Sequence, residues 1–296
     1  MHYELFALAA ALLWAIASLL SVLPAAHLGA FAFSRYRMVC VTTMLGLASL
    51  ATGGFAAFSL PQLGWMALSG LIGIFVGDTA LYACLNRLGP RRSGLLFACN
   101  ALFTALLGLW LFDERLGGWR LLGGALIFVG VLLAIAFGRR HDNRFEPVRG
   151  ALWLGVALGL LAALCQSLGS LIAKPVMSAG VDPVAASCTR MAAALLAHLL
   201  LRASGVPFAR ARQTINLKVL GVVALNGFLA MALGMTLILL ALKHGEVSLV
   251  AILSATTPVM LLPLLWGYHR HRPAASAWAG AALVVAGTAL ILGMKA

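Results

Sequence analysis

Residues 77–130 read GDTALYACLNRLGPRRSGLLFACNALFTALLGLWLFDERLGGWRLLGGALIFVG. Three apolar runs are separated in this stretch by two short polar loops, at 86–93 and 113–118. The same layout returns later in the chain when 157 is added to each residue number, and glycines carry the match: Gly77 and Gly234, Gly123 and Gly280, Gly130 and Gly287. Glycine pairs at one fixed shift, spread over three helices, indicate two copies of one unit.

The composition restricts the protein to one class. Of the 296 residues, 62% are hydrophobic and 10% are charged, and the mean hydropathy is +1.02. A soluble domain has about 25% charged residues. A chain with so much apolar surface needs a bilayer around it, because lipid takes the place of water at its outer faces. The sequence therefore predicts an all-α membrane protein.

The formal net charge of +13 comes from 21 Lys and Arg against 8 Asp and Glu. Most basic residues stand in short loops between apolar runs, as in 86–93, 139–149 and 202–212. That placement suits anionic lipid headgroups and the setting of topology. We expect membrane lipid as a partner and no nucleic acid, because no polar domain is present to bind it.

Signatures of catalysis and of cofactor binding are missing from the sequence. It contains no HExxH zinc motif, no GxSxG elbow and no Walker A loop. The dipeptide Gly77-Asp78 has no second in-membrane aspartate with which to share a proton. The five cysteines lie in apolar runs without CxxC spacing, which is typical of buried thiols. We therefore expect no enzyme activity, no metal and no cofactor.

Ten apolar runs are long enough to cross about 30 Å of hydrocarbon, which takes roughly 20 residues. They fall near 4–22, 30–52, 62–84, 93–112, 118–138, 150–171, 182–202, 217–241, 247–267 and 274–293. The most polar stretch, 139–149, separates a first five-helix repeat (1–138) from a second (150–296). Because five is odd, the two copies must enter the membrane from opposite sides. This predicts ten transmembrane helices as two inverted repeats, an arrangement common in secondary transporters.

Orientation follows from the distribution of Lys and Arg between the loops. The side that holds 86–93, 139–149 and 202–212 carries the larger share of basic residues. By the positive-inside rule, both termini then face away from the cytoplasm. We expect a multi-pass protein of the cell (inner) membrane, as a monomer or a homodimer.

Two stretches resemble the drug/metabolite transporter superfamily, in particular its ten-helix branch built from two EamA-type domains. The first is ALYACLNRLGPRRSGLLFACNALFTALLGLWLFDERL, followed by LLGGALIFVGVLLA, and the second is ALKHGEVSLVAILSATTPVMLLPLL. Pro258 stands at the family's proline position in the second copy, whereas the first copy has Ala101 there. Glu114 fits the family's loop acid, and its counterpart in the second copy is His271.

The resemblance implies a secondary transporter, an exporter of small metabolites or drug-like molecules that works by alternating access. Exchange and proton coupling both remain open as the driving mechanism. The four-helix relatives couple to protons through a glutamate inside their first helix, whereas the first run here has only Glu4, at its edge. A lipid flippase or a non-transporting membrane subunit is the alternative.

Arg37 and Arg190 are the candidates for holding a substrate charge. Each lies about eight residues into its span, roughly 12 Å deep at 1.5 Å per residue, and each is followed by Met. Charges at such depth usually face the bundle interior or a wet cavity. Mirror-related arginines suit an anionic substrate group; alternatively each snorkels or pairs with a carbonyl.

Asp78 is the only acidic residue inside a predicted span, and Tyr82 follows one helical turn later on the same face. In an apolar setting the carboxyl would hold a proton and serve proton coupling, whereas beside Arg37 it would form a structural ion pair. Both alternatives stand at this point. The second copy has Met235 at the equivalent position.

Uncharged groups near mid-span complete the predicted substrate pathway. Amides and hydroxyls inside membrane helices either hydrogen-bond a neighbouring helix or line a cavity, and an indole offers a surface on which an aromatic substrate can stack. The candidates are Trp14, Asn100, Gln166, Asn226 and Thr257. Pro258, directly after Thr257, is expected to kink its span beside the cavity.

Overall fold

The structure is a computed structural model that describes residues 3–56, 58–114, 117–137, 150–207, 210–269 and 275–293. Within these ranges the regular elements are helices, and none of the described residues forms a strand. The α-helices are α1 (Tyr3–Leu28), α2 (Ala30–Thr52), α3 (Leu60–Gly70), α4 (Gly77–Phe112), α5 (Gly118–Phe137), α6 (Leu152–Ser178), α7 (Pro183–Ala203), α8 (Leu217–Gly227), α9 (Met235–His244), α10 (Val247–Ser254), α11 (Thr257–His269) and α12 (Ala275–Gly293).

Seven described segments are long and apolar enough to cross a membrane: Tyr3–Ser21, Leu60–Leu88, Leu152–Ser178, Pro183–Ala203, Leu217–His244, Val247–Leu264 and Ala275–Leu292. Two shorter apolar helices, Leu96–Phe112 and Gly118–Leu133, accompany them. The expected all-α membrane class is confirmed. The count of ten spans stays a prediction, as do the repeat boundaries, since the connecting stretch 139–149 lies outside the described residues.

Helix boundaries follow local signals in the sequence. The hydroxyl of Ser59 accepts a hydrogen bond from the backbone N–H of Gln62, and the Gln62 side chain accepts one from Ser59, which forms a capping box at α3. Asp182 caps α7 through the N–H of Ala185. Gly53 follows the C-terminal end of α2 with φ 67°, a left-handed conformation that glycine adopts without strain.

The predicted loop at 86–93 is wrong, because α4 is helical throughout that stretch. However, the Sγ of Cys84 and the Oγ of Ser93 lie 3.1 Å apart. Nine residues of straight helix would rise about 13.5 Å. The chain therefore turns back on itself between these two residues while it keeps helical backbone conformation.

Two π-helical segments lie inside otherwise α-helical rods. Leu71–Val76 joins α3 to α4, and Phe228–Gly234 joins α8 to α9. A shift of 157 carries Leu71 to Phe228, so the wider helical turns occupy matching places in the first half (residues 3–137) and the second half (150–293). π-Helical turns are rare and occur frequently at functional sites.

Close backbone contacts join the two halves through glycines of α5 and α12. A Cβ on Gly123 would lie 2.8 Å from the carbonyl oxygen of Gly287, and a Cβ on Gly130 would lie 2.5 Å from that of Gly280. Neither distance leaves room for a side chain. Small residues at such positions let membrane helices pack backbone to backbone.

A second set of glycine contacts joins α3 to α7 and α8 to α2. A Cβ on Gly70 would collide with the backbone of Arg190. A Cβ on Gly227 would lie 3.1 Å from Cγ of Arg37. The two glycines are related by the shift of 157, and each meets the arginine of the opposite half.

Glu114, which follows α4, caps a helix of the second half. Its carboxylate accepts hydrogen bonds from the backbone N–H groups of Val247 and Ser248, at 2.8 and 3.0 Å, and from the Ser248 hydroxyl at 2.7 Å. These groups belong to the first turn of α10, whose free N–H groups favour a negative charge. The contact fixes the start of α10 against the end of α4.

We predict that Gly130→Ala destabilises the protein, because the added methyl group must push α5 away from the Gly280 carbonyl. Overpacking of this kind typically costs about 1–3 kcal/mol. The measurement is the apparent Tm of purified protein in detergent. Gly267→Ala in α11 is the matched control, since a Cβ there meets no described atom within 4 Å. Equal Tm values for the two variants would contradict the close contact between α5 and α12.

Candidate functional site

A cavity of about 400 Å³ lies between the two halves of the chain. Residues of both halves line it, and its wall is mostly apolar with isolated polar groups. Cavities of 300–1,000 Å³ with this character hold small molecules in many proteins. This space is therefore the candidate substrate site.

Eight of the nine predicted pathway residues contribute to the wall of the cavity. They are Trp14, Arg37, Asp78, Tyr82, Asn100, Gln166, Asn226 and Thr257. Their segments are separated widely along the chain, so the fold brings them together. The ninth, Arg190, lies outside the wall.

Arg37, Asp78 and Tyr82 form a polar cluster in the first half. Nη2 of Arg37 lies 3.6 Å from Oδ2 of Asp78 and donates a hydrogen bond of 3.2 Å to the Tyr82 hydroxyl. Asp78 and Tyr82 meet the same guanidinium because they stand one turn apart on α4. The guanidinium also lies 5.3 Å from the ring centroid of Phe33. Arg37 and Asp78 are within ion-pair distance, although Oδ2 of Asp78 accepts no hydrogen bond in the described part of the chain.

Arg190 on α7 has a different environment. Its side chain is among the largest fully buried ones, with 1% exposure. Nη1 lies 3.4 Å from the Sδ of Met235, which itself lines the cavity. Nε and Nη2 have no hydrogen-bond partner in the described part of the chain. Arg190 thus stands one side chain behind the cavity wall.

Several predicted pathway residues also tie helices together. The indole N–H of Trp14 donates to the carbonyl of Ala230 at 2.7 Å, inside a π-helical segment. Asn226 donates to the carbonyl of Ala17 at 2.6 Å. Both bonds join α1 to the second half and satisfy polar atoms in an apolar setting. The amide of Asn100 instead bonds within α4, to the carbonyl of Phe97.

Several hydroxyl groups that line the cavity were not predicted from the sequence. They belong to Ser18, Ser21, Thr104, Ser170 and Ser254. Helical spacing was the available signal, because residues three or four apart share a face. Ser18 and Ser21 follow Trp14 at such intervals, Thr104 follows Asn100, and Ser170 follows Gln166.

Irregular backbone borders the cavity at two places. Helix α10 ends at Ser254, Ala255 and Thr256 form a turn, and α11 begins at Thr257 with Pro258 in its first turn. The break agrees with the predicted effect of the proline. Ile74 and Ala230, from the two π-helical segments, also line the space. Non-helical or widened backbone at membrane depth is expected where it is buried or lines a cavity.

Comparisons with known proteins point to one family. The family model described as "EamA-like transporter family" matches residues 1–136 and 153–293. No curated protein matches the sequence. One solved structure, titled "Crystal structure of protein", superposes with a TM-score of 0.82 at 19% identity, over 98% of this chain and 96% of that one. At that identity the likeness shows the shared fold.

We predict energetic coupling between Arg37 and Asp78. Either single variant, Arg37→Met or Asp78→Met, leaves the other charge without its partner, and a lost partner is costly in an apolar environment. The double variant removes both charges, so its loss of stability is expected to be smaller than the sum of the single losses by about 1 kcal/mol or more. Thermal unfolding of the four proteins in detergent measures the cycle. Additive losses would show that the two side chains do not interact.

Proposed function

The chain belongs to the EamA-like transporter family, and we propose that it is a secondary transporter that exports small metabolites or drug-like molecules by alternating access. The observation that carries the proposal is the cavity of about 400 Å³ between the two halves, lined by polar groups from both. Sites of this kind, between two repeats, are where secondary transporters bind their substrates.

Glycine contacts support the inverted-repeat part of the proposal. Gly123 contacts Gly287, and Gly130 contacts Gly280. The shift of 157 relates Gly123 to Gly280 and Gly130 to Gly287, so exchanging the two halves turns one contact into the other. Pairs of this form are the signature of a two-fold axis. The contacts of Gly70 and Gly227 with the arginines of the opposite half repeat the pattern.

The relative direction of α5 and α12 supports an axis that lies in the membrane plane. From the first contact to the second, the residue number rises on α5, from Gly123 to Gly130, and falls on α12, from Gly287 to Gly280. The two helices are therefore antiparallel. An axis that exchanges antiparallel spanning helices lies in the membrane plane. Ten spans in two inverted sets of five, in the cell (inner) membrane with both termini away from the cytoplasm, are the topology that we propose.

Movement of one half against the other would expose the cavity to the two sides in turn. The π-helical segments and the break before Thr257 border the cavity and are the places where the helices depart from regular geometry. Departures from regular helix geometry are where hinge motions concentrate. We propose that these segments change shape as the cavity opens to either side.

Accessibility of a single cysteine tests alternating access without knowledge of the substrate. The native cysteines are replaced first, and Ser170→Cys then places a thiol on the cavity wall. A membrane-impermeant maleimide is expected to label it both in intact cells and in inside-out vesicles. Ser187→Cys is the control, since Ser187 is 0% exposed and does not line the cavity.

Labelling from one side, or from neither, would contradict alternating access and favour a non-transporting subunit. The lipid flippase makes a different prediction. Reconstituted protein would then move a fluorescent phospholipid between leaflets, whereas our proposal expects no such movement above protein-free vesicles.

Transport itself tests the role of the polar cluster. Vesicles are loaded with a mixture of amino acids, nucleosides and organic acids, and export is followed by mass spectrometry. Because Asp78 faces Arg37 at 3.6 Å, we expect Asp78→Asn to lower exchange and pH-driven export by the same factor. Loss of the pH-driven part alone would assign proton coupling to Asp78 instead.

A further inference from the structure

Arg37 and Arg190, which are related by a shift of 153 and not 157, have different partners. Gly227 of the second half contacts Arg37, and Gly70 of the first half contacts Arg190. Within its own half, Arg37 faces Asp78, and Arg190 faces Met235, the residue that the shift of 157 assigns to the same place. The repeat therefore holds one guanidinium against a carboxylate and the other against a thioether.

The charge of Arg190 is not balanced by Met235. An arginine side chain stays protonated in proteins, and a thioether is only a weak acceptor. Within the described part of the chain, Arg190 forms no ion pair, and its Nε and Nη2 atoms lack hydrogen-bond partners. A buried charge without a partner is strongly unfavourable. An anionic group from outside the chain would remove that penalty.

The guanidinium donors beside Met235 define the shape of the missing group. Among the described residues, Nη2 has no hydrogen-bond partner and Nη1 meets only the Met235 thioether. These two atoms form the outer edge of the guanidinium plane, and two parallel N–H donors on such an edge match the two oxygens of a carboxylate. On its other side Nη2 packs beside Gly73, where an added Cβ would lie 3.4 Å away. The outer edge thus favours a carboxylate over a single point charge.

Met235 separates this edge from the cavity. Its Sδ contacts Arg190 on one side, and the residue lines the cavity on the other. Methionine is unbranched and has three rotatable bonds, so it changes conformation at low cost. A rotation of Met235 would open Arg190, which is 1% exposed in this structure, to a solute in the cavity.

We propose that Arg190 is an anion site covered by Met235, and that the transported solute is a small organic monocarboxylate with an apolar body. This inference rests on the proposed transport function. A single negative charge suffices, because Asp78 already balances Arg37. The mostly apolar wall, which includes Trp14 and Phe97, suits an apolar body.

Ligand-dependent thermal stability of the purified protein in detergent tests the inference. The probes are sodium phenylacetate and its neutral analogue phenylacetamide, at equal concentration and at ionic strength matched with sodium chloride. At about ten times its Kd, phenylacetate is expected to raise the Tm by about 2–4 °C. Phenylacetamide is expected to leave the Tm unchanged. An equal rise with both compounds would overturn the proposal.

A matched pair of variants assigns the effect to Arg190. Met235→Asp places a carboxylate beside Arg190, as Asp78 stands beside Arg37, and is expected to abolish the response to phenylacetate. Met235→Asn introduces a side chain of almost the same size as aspartate but without the charge, and this variant is expected to keep the response to phenylacetate. A response retained in Met235→Asp, or lost equally in both variants, would refute the site.

Arg190→Gln provides a second route if Met235→Asp fails to fold. It removes the charge and keeps a polar side chain, and we expect it to respond to neither compound. A normal phenylacetate response in Arg190→Gln would overturn the proposal. These are binding measurements and need no transport. Two-sided labelling of Ser170→Cys without a response to phenylacetate would therefore reject the anion site and keep the proposed transport function. A response to phenylacetate without two-sided labelling would keep the anion site and reject the transport function.

Discussion

Backbone contact between helices of opposite halves is the constraint on which the rest of the structure depends. At Gly123 and Gly130 of α5, and at their partners on α12, the two helices approach so closely that no side chain fits. Lipid gives apolar helices little reason to associate, so such packing supplies much of the attraction. The contacts hold the two halves in the register that leaves a cavity between them.

Buried polar groups add direction to this packing. The carboxylate of Glu114 holds the start of α10, and the indole of Trp14 reaches the carbonyl of Ala230. Both interactions cross from one half to the other and lie close to the cavity. Polar atoms in an apolar medium are costly to leave unpaired, so each bond selects one arrangement of the helices around the site.

The sequence predicted the helices better than their interruptions. The bounds of α2 agree with the predicted span at 30–52, because a long apolar run between glycines has few other structures open to it in a membrane. The turn at 86–93 was expected as a loop, yet it keeps helical conformation. The π-helical segments carry no pattern of apolar residues that differs from an ordinary helix, so periodicity does not predict them.

Candidate site residues show a similar division. Spacing by one helical turn placed Tyr82 beside Asp78, and both meet Arg37. Position along a span does not give the rotation of Arg190 about its helix, which tertiary packing decides and which leaves this residue outside the cavity wall. The hydroxyls of Ser18 and Ser21 had a readable spacing from Trp14, but serines are common in membrane helices and individually carry little signal.

The exchange of Asp78 for Met235 between otherwise matching positions has a consequence for the resting protein. Two inverted halves with the same residues would give inward-facing and outward-facing forms of equal energy. Here an ion pair stands in one half, and within the described residues a cation without an anionic partner stands in the other. The two forms of the proposed alternating-access cycle would therefore differ in electrostatic energy. An empty transporter built on this plan would rest mainly in one of them, and solute that neutralises the cation would redistribute the population.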